Sequence, residues 1–289
     1  MTGARGMLGR DVERAGERAG VELTLVDLPE LDITDAEAVA GLISRLREEG
    51  PLDGIVNCAA WTDVDGAESN EAAARAVNAD GAGVLARAAA AAGVRLLHVS
   101  TDYVFDGTAP LDPAGRPRPY LESDPTGPRS VYGATKLEGE RQVLSASPRH
   151  TIVRTAWLYG VDGKSFPATM LSLAAEREAV QVVTDQIGSP TWSGHLAPAM
   201  LGLLERGVTG LVHLTGGGHV SWHGFATEIF RQADVECRVE PTTSEQFVRP
   251  APRPAWSALE SSREDVLPLP PWQDGLAGYL AAREGLTRA

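Results

Sequence analysis

Cysteine, positive charge and long apolar runs are all scarce in this sequence. The 289 residues include only two cysteines, Cys58 and Cys237, which exclude a disulfide framework and indicate thiols in a reducing compartment. The 39 acidic residues outnumber the 26 basic ones, and the formal charge of -13 argues against a nucleic acid as partner. No uncharged apolar run reaches the ~18 residues of a membrane-spanning helix, and no signal peptide pattern opens the chain. We therefore expect a cytoplasmic protein with no membrane partner.

The residues that are present suit a large globular protein. Hydrophobic residues make up 43% of the chain, enough for a substantial core in one large domain or two smaller ones. Helical patterns, one of them with a capping box at Thr34, alternate with apolar runs typical of strands at residues 23–26, 54–59, 94–100 and 151–154. This alternation predicts an α/β fold with a parallel sheet covered on both faces. After about residue 157 the pattern becomes irregular, which predicts a smaller, loop-rich lobe.

A glycine-rich segment opens the chain. Gly3, Gly6 and Gly9 form the pattern G-x-x-G-x-x-G, and a helical pattern follows. Such glycines let the backbone approach a pyrophosphate, and the N-terminus of the next helix favours its negative charge. Asp27 ends the next apolar run, where a dinucleotide fold places the carboxylate that binds the adenosine ribose. The alternatives are an ordinary glycine-rich turn and a solvated turn residue.

Tyr132 and Lys136 form the pattern Y-x-x-x-K at the start of a predicted helix. Their i,i+4 spacing places both side chains on one face, and we expect the Lys136 ammonium to lower the pKa of the Tyr132 phenol. Such a phenol can exchange a proton with a carbonyl–alcohol pair. Residues 100–103 (STDY) follow a predicted strand, where a hydroxyl can hydrogen-bond a substrate carbonyl. The alternatives are two neighbours on a solvated helix and a strand-end turn.

These features occur in the chain order of the extended short-chain dehydrogenase/reductase family, which the sequence resembles. Longer runs resemble one branch of it, the dTDP-4-dehydrorhamnose reductases. The most specific runs are STDYVFDG at residues 100–107 and DQIGSPT at residues 185–191. Others are NCAAWTDVD at residues 57–65, RTAWLYG at residues 154–160, residues 131–140, and Arg253 with Pro254.

The resemblance implies a Rossmann-like, doubly wound parallel sheet with a smaller, loop-rich substrate lobe. Residues 1–157 would form the dinucleotide-binding domain, with a return around residues 187–215, and residues 158–289 mainly the substrate-binding lobe. NADH or NADPH would be bound by Gly3, Gly6, Met7, Leu8, Gly9, Asp27, Asp32, Ile33, Ala60, Trp61, Thr62, Tyr132 and Lys136. Catalysis would depend on Tyr132, Lys136 and Thr101, and the substrate would contact Thr101, Asp102 and Trp157.

The reaction that the resemblance implies is NAD(P)H-dependent reduction of the 4-keto group of dTDP-4-dehydro-L-rhamnose to give dTDP-L-rhamnose. Two alternatives stay open: reduction of another dTDP-4-keto-6-deoxysugar in secondary metabolism, and a non-catalytic dinucleotide-binding regulatory subunit. The partner would be a dTDP-sugar, and a homodimer is compatible with the resemblance. Because Asp27 would repel a 2′-phosphate, we expect NADH to serve at least as well as NADPH.

Several positions depart from the pattern of this branch. Ser165 stands where many members have Asn, in a loop expected to shape the sugar pocket, and Trp222 is followed by neither an aromatic nor an acidic residue. Only Met1 and Thr2 precede Gly3, which predicts an incomplete first strand and a natural start a few residues upstream. Asp11 alone matches the metal-binding carboxylates of some relatives, so no metal is expected. Histidines without metal-ligand spacing are interpreted as structural or solvated: His98, His195, His213, His219 and His223.

Overall fold

A computed structural model describes residues 1–287 of the chain. The helices are α1 (Met7–Ala19), α2 (Ala36–Glu49), α3 (Val64–Ala67), α4 (Glu71–Arg75), α5 (Ala82–Ala91), α6 (Val131–Ala146), α7 (Phe166–Ala174), α8 (Ser193–Glu205), α9 (Trp222–Gln232) and α10 (Trp272–Thr287). The strands are β1 (Gly54–Asn57), β2 (Arg95–Thr101), β3 (Thr151–Thr155), β4 (Leu158–Tyr159), β5 (Ala179–Val183), β6 (Ile187–Gly188), β7 (Thr191–Trp192), β8 (Gly210–His213), β9 (Val220–Ser221) and β10 (Arg238–Thr242). A π-helical segment (Ala76–Gly81) joins α4 to α5, and a 3-10 turn (Asp102–Val104) follows β2.

A parallel sheet in the order β1–β2–β3–β8 forms the centre of the first lobe. Three of the predicted apolar runs form β1, β2 and β3, so the predicted α/β fold with a parallel sheet is confirmed. The run at residues 23–26 contributes only a single bridge, from Val26 to Thr2, and the prediction of a strand there is wrong. The reason is that the segment beside it, Met1 and Thr2, offers only two residues for pairing.

Met1 and Thr2 lie between Val26 and β1, where they pair with both neighbours. The Val26 N–H donates to the Met1 carbonyl (2.9 Å), and the Thr2 N–H donates to the Val56 carbonyl (3.0 Å). The Cys58 N–H donates in turn to the Thr2 carbonyl (3.1 Å). These bonds join the glycine-rich segment to the sheet and fix where it turns into α1.

Both faces of the sheet are covered, because successive strand residues point to opposite sides. One face packs on α1 and α8 through Val56, Leu97, Val153, Leu8, Val12, Leu196 and Met200. The opposite face packs on α2, α5 and α6 through Ile55, Leu96, Ile152, Val39, Ile43, Leu85 and Val143. Adjacent residues of each strand therefore belong to different cores, which is why these strands are apolar throughout rather than alternating.

Side-chain caps define where two of the central helices begin. The Asp35 carboxylate accepts from the backbone N–H of Glu37 and of Ala38 (both 3.0 Å), so Asp35 caps α2 and the predicted capping box at Thr34 is wrong. Asp35 is one residue closer to the first turn, and the Thr34 hydroxyl donates to Asp32 Oδ1 (2.8 Å) instead of capping the helix. Ser130 caps α6 by accepting from the Gly133 N–H (3.1 Å), which fixes the register of the helix that carries Tyr132.

The second lobe is organised around a separate aromatic core. β5 and β10 form a parallel pair, and α7 and α9 lie against them. Tyr159, Phe225, Trp272 and Tyr279 are the large aromatic members of this core. β8 pairs with β3, and α8 packs on α1, so this part of the chain returns to the first lobe. Among the helices within residues 1–287, none has the length and apolar character needed to cross a membrane.

Candidate active site

A cavity of about 880 Å³, called the central cavity below, opens at the carboxyl ends of β1, β2 and β3. This volume lies within the ~300–1,000 Å³ typical of small-molecule sites, and the position is where parallel sheets bind ligands. The cavity brings together every site residue that the sequence predicted. These are Gly3, Gly6, Met7, Leu8, Gly9, Asp27, Asp32, Ile33, Ala60, Trp61, Thr62, Thr101, Asp102, Tyr132, Lys136 and Trp157.

The glycine-rich loop packs so closely on neighbouring backbone that Gly3 and Gly9 have no room for a side chain. Its backbone is therefore open to a pyrophosphate. Gly3 has a φ of 70°, and a Cβ there would lie 2.5 Å from the Ala59 nitrogen. A Cβ on Gly9 would lie 2.2 Å from the Gly3 carbonyl oxygen. Gly6 precedes α1 without any side-chain cap, so the N-terminus of α1 faces the cavity uncovered by a capping group. The loop thus offers a backbone surface and a helix dipole suited to a dinucleotide phosphate.

Asp27 is fixed beside this loop by two backbone donors. The Arg5 N–H and the Leu28 N–H each donate to one of its carboxylate oxygens at 2.8 Å. The Arg5 guanidinium bonds to the Leu28 carbonyl and to Glu30, so a basic group does lie near Asp27 in space. In this arrangement the guanidinium is paired with Glu30, and the Asp27 carboxylate lines the cavity as an acceptor suited to a ribose hydroxyl.

Tyr132 is half-buried beside Tyr103, with their ring centroids 5.6 Å apart in an edge-to-face arrangement. Burial raises the pKa of the Tyr132 phenol to about 12, and a hydrogen bond with Thr101 opposes that rise. The prediction that Lys136 lowers this pKa is wrong. Lys136 Nζ instead donates to the Val99 carbonyl (2.7 Å) and contacts His98 Nε2 (3.2 Å). Burial also lowers the pKa of Lys136 to about 8.

Thr101 and Asp102 continue β2 into the cavity. The Thr101 hydroxyl donates to Asp102 Oδ1 (3.0 Å) and accepts from the Tyr103 N–H (3.2 Å). Asp102 Oδ2 is buried and has no partner in full hydrogen-bond geometry among residues 1–287, although the Ser257 hydroxyl is near enough to oppose the rise in the pKa of this carboxyl. Burial consequently raises the pKa of the Asp102 carboxyl to about 6. An acceptor without a partner beside a cavity is suited to a polyhydroxylated ligand.

Replacing Asp102 with Asn should stabilise the fold above pH 6. The folded-state pKa of about 6 exceeds the ordinary value of 3.8, so the wild type loses stability as the pH rises from about 4 to 6. A shift of two units corresponds to about 3 kcal/mol, and the Asn variant avoids this loss. Urea unfolding at pH 5 and pH 8 should show a stability difference between the two proteins that grows with pH. A constant difference would contradict the prediction.

An aromatic wall closes the side of the cavity toward the second lobe. Trp157 stacks on Trp222 with ring centroids 3.5 Å apart and planes at 4°, and Phe166 packs on Trp222 at 4.4 Å. Gly188 packs on Trp157, since a Cβ there would lie 2.3 Å from Trp157 Cε2. Trp157 has a φ of 44°, an uncommon backbone conformation for a bulky residue. Trp222 thus covers one face of the Trp157 ring, and Gly188 lies close to its Nε1, Cε2 and Cζ2 atoms.

Residues 1–284 match the sequence family described as RmlD substrate binding domain. The chain belongs to this family. A dTDP-4-dehydrorhamnose reductase of Mycobacterium tuberculosis is 48% identical to it, over 98% of this chain and 92% of that protein. A probable dTDP-4,6-dihydroxy-2-methyloxan-3-one 4-ketoreductase of Streptomyces antibioticus is 42% identical, over 96% and 92%. The crystal structure of dTDP-4-dehydrorhamnose reductase from Bacillus anthracis in complex with NADP has a TM-score of 0.90 and 35% identity, covering 97% of each chain.

The cavity of this family member is also lined by residues that the sequence did not predict as site residues. Lys164 and Trp222 come from the second lobe, and Tyr103 lies beside Tyr132. Ser165, in the loop expected to shape the sugar pocket, caps α7 by accepting from the Ala168 N–H (3.4 Å). Its neighbour Lys164 is the residue of that loop that lines the cavity. The sequence shows a tryptophan at position 222, but no pattern in the neighbouring residues predicts that it stacks on Trp157.

The matched carboxylate Asp11 has protein partners. It is buried and accepts from Arg14 Nη2 (2.8 Å) and from the Ser193 hydroxyl. Arg14 also pairs with Asp162, which links α1 to the segment leading into the second lobe. Within the described residues, no group of three or more His, Cys, Asp or Glu side chains is arranged to hold a metal ion.

Proposed function

We propose that this protein catalyses the NAD(P)H-dependent reduction of the 4-keto group of dTDP-4-dehydro-L-rhamnose, giving dTDP-L-rhamnose. One observation carries the proposal: the glycine-rich loop, Asp27, Thr101, Tyr132 and Lys136 line a single cavity. A dinucleotide and a sugar nucleotide can therefore meet in one site, which converts a bimolecular encounter into an oriented one. The names of the reductase relatives at high coverage support the same conclusion.

The chain's own residues supply binding, orientation and the proton. The glycine-rich loop and Asp27 hold the dinucleotide, Asp32 and Ile33 flank its adenine, and residues 60–62 lie along it. The bound NADH or NADPH supplies the hydride for the carbonyl carbon. Thr101 orients the carbonyl oxygen of the substrate, and the Tyr132 phenol donates its proton to that oxygen. Because its pKa is raised, the phenol holds that proton at neutral pH and acts as an acid in this direction.

The second lobe and the end of β2 select the sugar nucleotide. Asp102 accepts hydrogen bonds from sugar hydroxyls, and Trp157 packs against the deoxysugar. Lys164 is the cationic residue that the second lobe contributes to the cavity, and it suits the diphosphate of the substrate. Trp222 keeps Trp157 in place from behind.

The direct test is to identify the product by NMR after incubating the protein and NADH with a panel of dTDP-4-keto-6-deoxysugars. Formation of dTDP-L-rhamnose from dTDP-4-dehydro-L-rhamnose, faster than turnover of the other sugars, is the expected result. Faster turnover of another sugar would favour the second candidate, a ketoreductase for a different deoxysugar. The differently named Streptomyces antibioticus relative favours that candidate. Absence of any turnover would favour a dinucleotide-binding regulatory subunit.

Replacing Asp27 with Asn should shift cofactor use toward NADPH. The wild type is expected to use NADH at least as well as NADPH, since the carboxylate repels a 2′-phosphate. Removing one like charge at contact distance is worth roughly 1–4 kcal/mol, so the kcat/KM ratio of NADPH to NADH should rise tenfold or more. Steady-state kinetics and NADPH fluorescence titration measure the change. A wild type that clearly prefers NADPH, or an unchanged ratio in the variant, would overturn this expectation.

Replacing Gly188 with Ala should weaken sugar binding without affecting the dinucleotide. The new Cβ would collide with Trp157, whose ring is already stacked on Trp222. We expect the KM for the sugar nucleotide to rise on the order of tenfold, with a stability loss of about 1–3 kcal/mol from overpacking. Tryptophan fluorescence should report the displaced indole. Gly41→Ala is the matched control, because a Cβ at Gly41 meets no atom within 4 Å; equal effects of the two variants would refute the prediction.

A further inference from the structure

The Ser257 hydroxyl lies between two side chains that line the central cavity from the ends of different strands. It accepts a hydrogen bond from Trp157 Nε1 at 3.2 Å. It is also near enough to the Asp102 carboxylate to act as a hydrogen-bond partner, which opposes the burial that raises the pKa of this group. Ser257 itself is 1% exposed and does not line the cavity. Any effect of Ser257 on a bound ligand must therefore pass through Trp157 and Asp102.

The chemistry of the two neighbours fixes the direction of both contacts. An indole N–H can only donate, so the Ser257 oxygen accepts from Trp157. An ionised carboxylate can only accept, so the hydrogen of the same hydroxyl is left for Asp102. A hydroxyl meets both needs with one small group, because it combines one donor with two acceptor lone pairs. Ser257 thus forms a hydrogen-bonded bridge from the indole to the carboxylate.

Backbone hydrogen bonds hold Ser257 in this position. The Ser257 N–H donates to the Ile187 carbonyl (2.7 Å), and the Ile187 N–H donates to the Ala255 carbonyl (2.9 Å). The Trp256 N–H donates to the Gly107 carbonyl (3.0 Å), which attaches the same segment to the loop after β2. The segment is therefore bonded to β6 on one side and to this loop on the other, and it presents the hydroxyl from a fixed backbone.

The orientation of Trp157 depends on such outside contacts. Its φ of 44° is uncommon for a bulky residue, and conformations of this kind persist where the surrounding structure determines them. Trp222 covers one face of the ring, and Gly188 lies close to the edge that carries Nε1. Stacking restrains the ring plane but gives the N–H no acceptor. Within residues 1–287, the acceptor of this N–H is Ser257.

We propose that Ser257 is a positioning residue that holds Trp157 and Asp102 in a fixed relation and thereby orients the sugar. The inference rests on the proposed function, in which Asp102 accepts from the sugar hydroxyls and Trp157 packs against the deoxysugar. Two contacts that keep one spacing accept one orientation of the ring better than others. Ser257 thus contributes to substrate specificity without touching the substrate.

The first test follows the Trp157 indole N–H by NMR and needs no turnover. In 15N-labelled protein, the indole signal that is lost in Trp157→Phe assigns this group. In Ser257→Ala the signal should move upfield, and its hydrogen should exchange with solvent about tenfold faster, the scale of one ordinary hydrogen bond. An unchanged Trp157 signal in Ser257→Ala would overturn the proposal, whatever the protein catalyses.

Ser147→Ala is the matched control for this measurement. Ser147 is also buried, and its hydroxyl accepts from the Arg149 N–H (3.2 Å) after the end of α6, away from the cavity. Its removal should leave the Trp157 signal in place. If both serine variants shift that signal equally, the loss of any buried hydroxyl explains the effect, and the proposed role of Ser257 is refuted.

The second test compares the affinities for dTDP-L-rhamnose and for dTDP, which lacks the sugar, by calorimetric titration. Ser257→Ala should weaken binding of dTDP-L-rhamnose by about three- to tenfold and leave binding of dTDP unchanged. Ser257→Cys should lie between this variant and the wild type, because a thiol is a weak donor and a weak acceptor. Equal losses for both ligands, or no loss for either, would refute a role in orienting the sugar.

Failure of the proposed function gives a different result from failure of the role assigned to Ser257. A wild type that neither binds dTDP-L-rhamnose nor reduces the corresponding 4-keto sugar overturns the proposed function and the substrate role of Ser257 with it. The indole signal then still decides whether Ser257 holds Trp157. A wild type that is active, together with a Ser257→Ala variant of full affinity for dTDP-L-rhamnose, overturns only the role of Ser257.

Discussion

Replacing Tyr132 with Phe should lower kcat by roughly 10²- to 10⁴-fold, the range expected when a positioned general acid is lost. The phenol is the group whose pKa of about 12 keeps it protonated in the cavity, beside the Thr101 hydroxyl that we propose to orient the carbonyl. Phe keeps the ring and its contact with Tyr103, so NADH should still bind with little change in affinity. Turnover of dTDP-4-dehydro-L-rhamnose and fluorescence titration with NADH measure the two effects separately.

Tyr159→Phe provides the matched control for this substitution. Tyr159 is fully buried in the aromatic core of the second lobe, does not line the central cavity, and its hydroxyl has no hydrogen-bond partner within residues 1–287. Removing that hydroxyl should leave kcat unchanged and stabilise the fold slightly, because an unsatisfied polar atom is removed. Near-wild-type turnover by Tyr132→Phe would refute the assignment of Tyr132 as proton donor.

Replacing Glu140 with Leu should destabilise the fold by about 3–5 kcal/mol, the usual cost of removing one partner of a buried ion pair. Glu140 accepts from Arg154 Nε (2.8 Å) and Nη2 (2.7 Å), and from the Ser100 hydroxyl (2.6 Å). Both charged side chains are about 4% exposed or less. In the variant the Arg154 guanidinium would stay buried above the Phe105 ring without a carboxylate.

Thermal unfolding should show this loss as a fall in Tm on the order of 10 °C. The pair joins α6 to β2 and β3 beneath the cavity, so dinucleotide binding should weaken together with stability. Glu228→Leu is the control, because the Glu228–Arg231 pair lies on one face of α9 with Arg231 67% exposed. An exposed pair of this kind contributes little, and its Tm should hardly change. Equal losses in the two variants would contradict a special role of burial.

The sequence by itself determined the family and the fold class of this protein. The apolar runs of β1, β2 and β3 are local in the chain, and strands buried on both faces need apolar residues throughout. The predicted site residues also come together in one cavity, because parallel strands deliver their carboxyl ends to the same edge of a sheet. Their individual roles stay predictions, to be tested by the variants above.

Only the tertiary structure decided what the side chains of the site contact. The i,i+4 spacing placed Lys136 on the same face of α6 as Tyr132, but the packing of α6 on β2 directs its amine to His98 and Val99. Gly188 and Trp222 both contact Trp157, although they lie 31 and 65 residues after it in the chain. Helical spacing and strand alternation follow from local backbone geometry, which one segment contains by itself. Hydrogen-bond direction, burial and the resulting pKa values depend on which distant segments pack together, and no single segment carries that information.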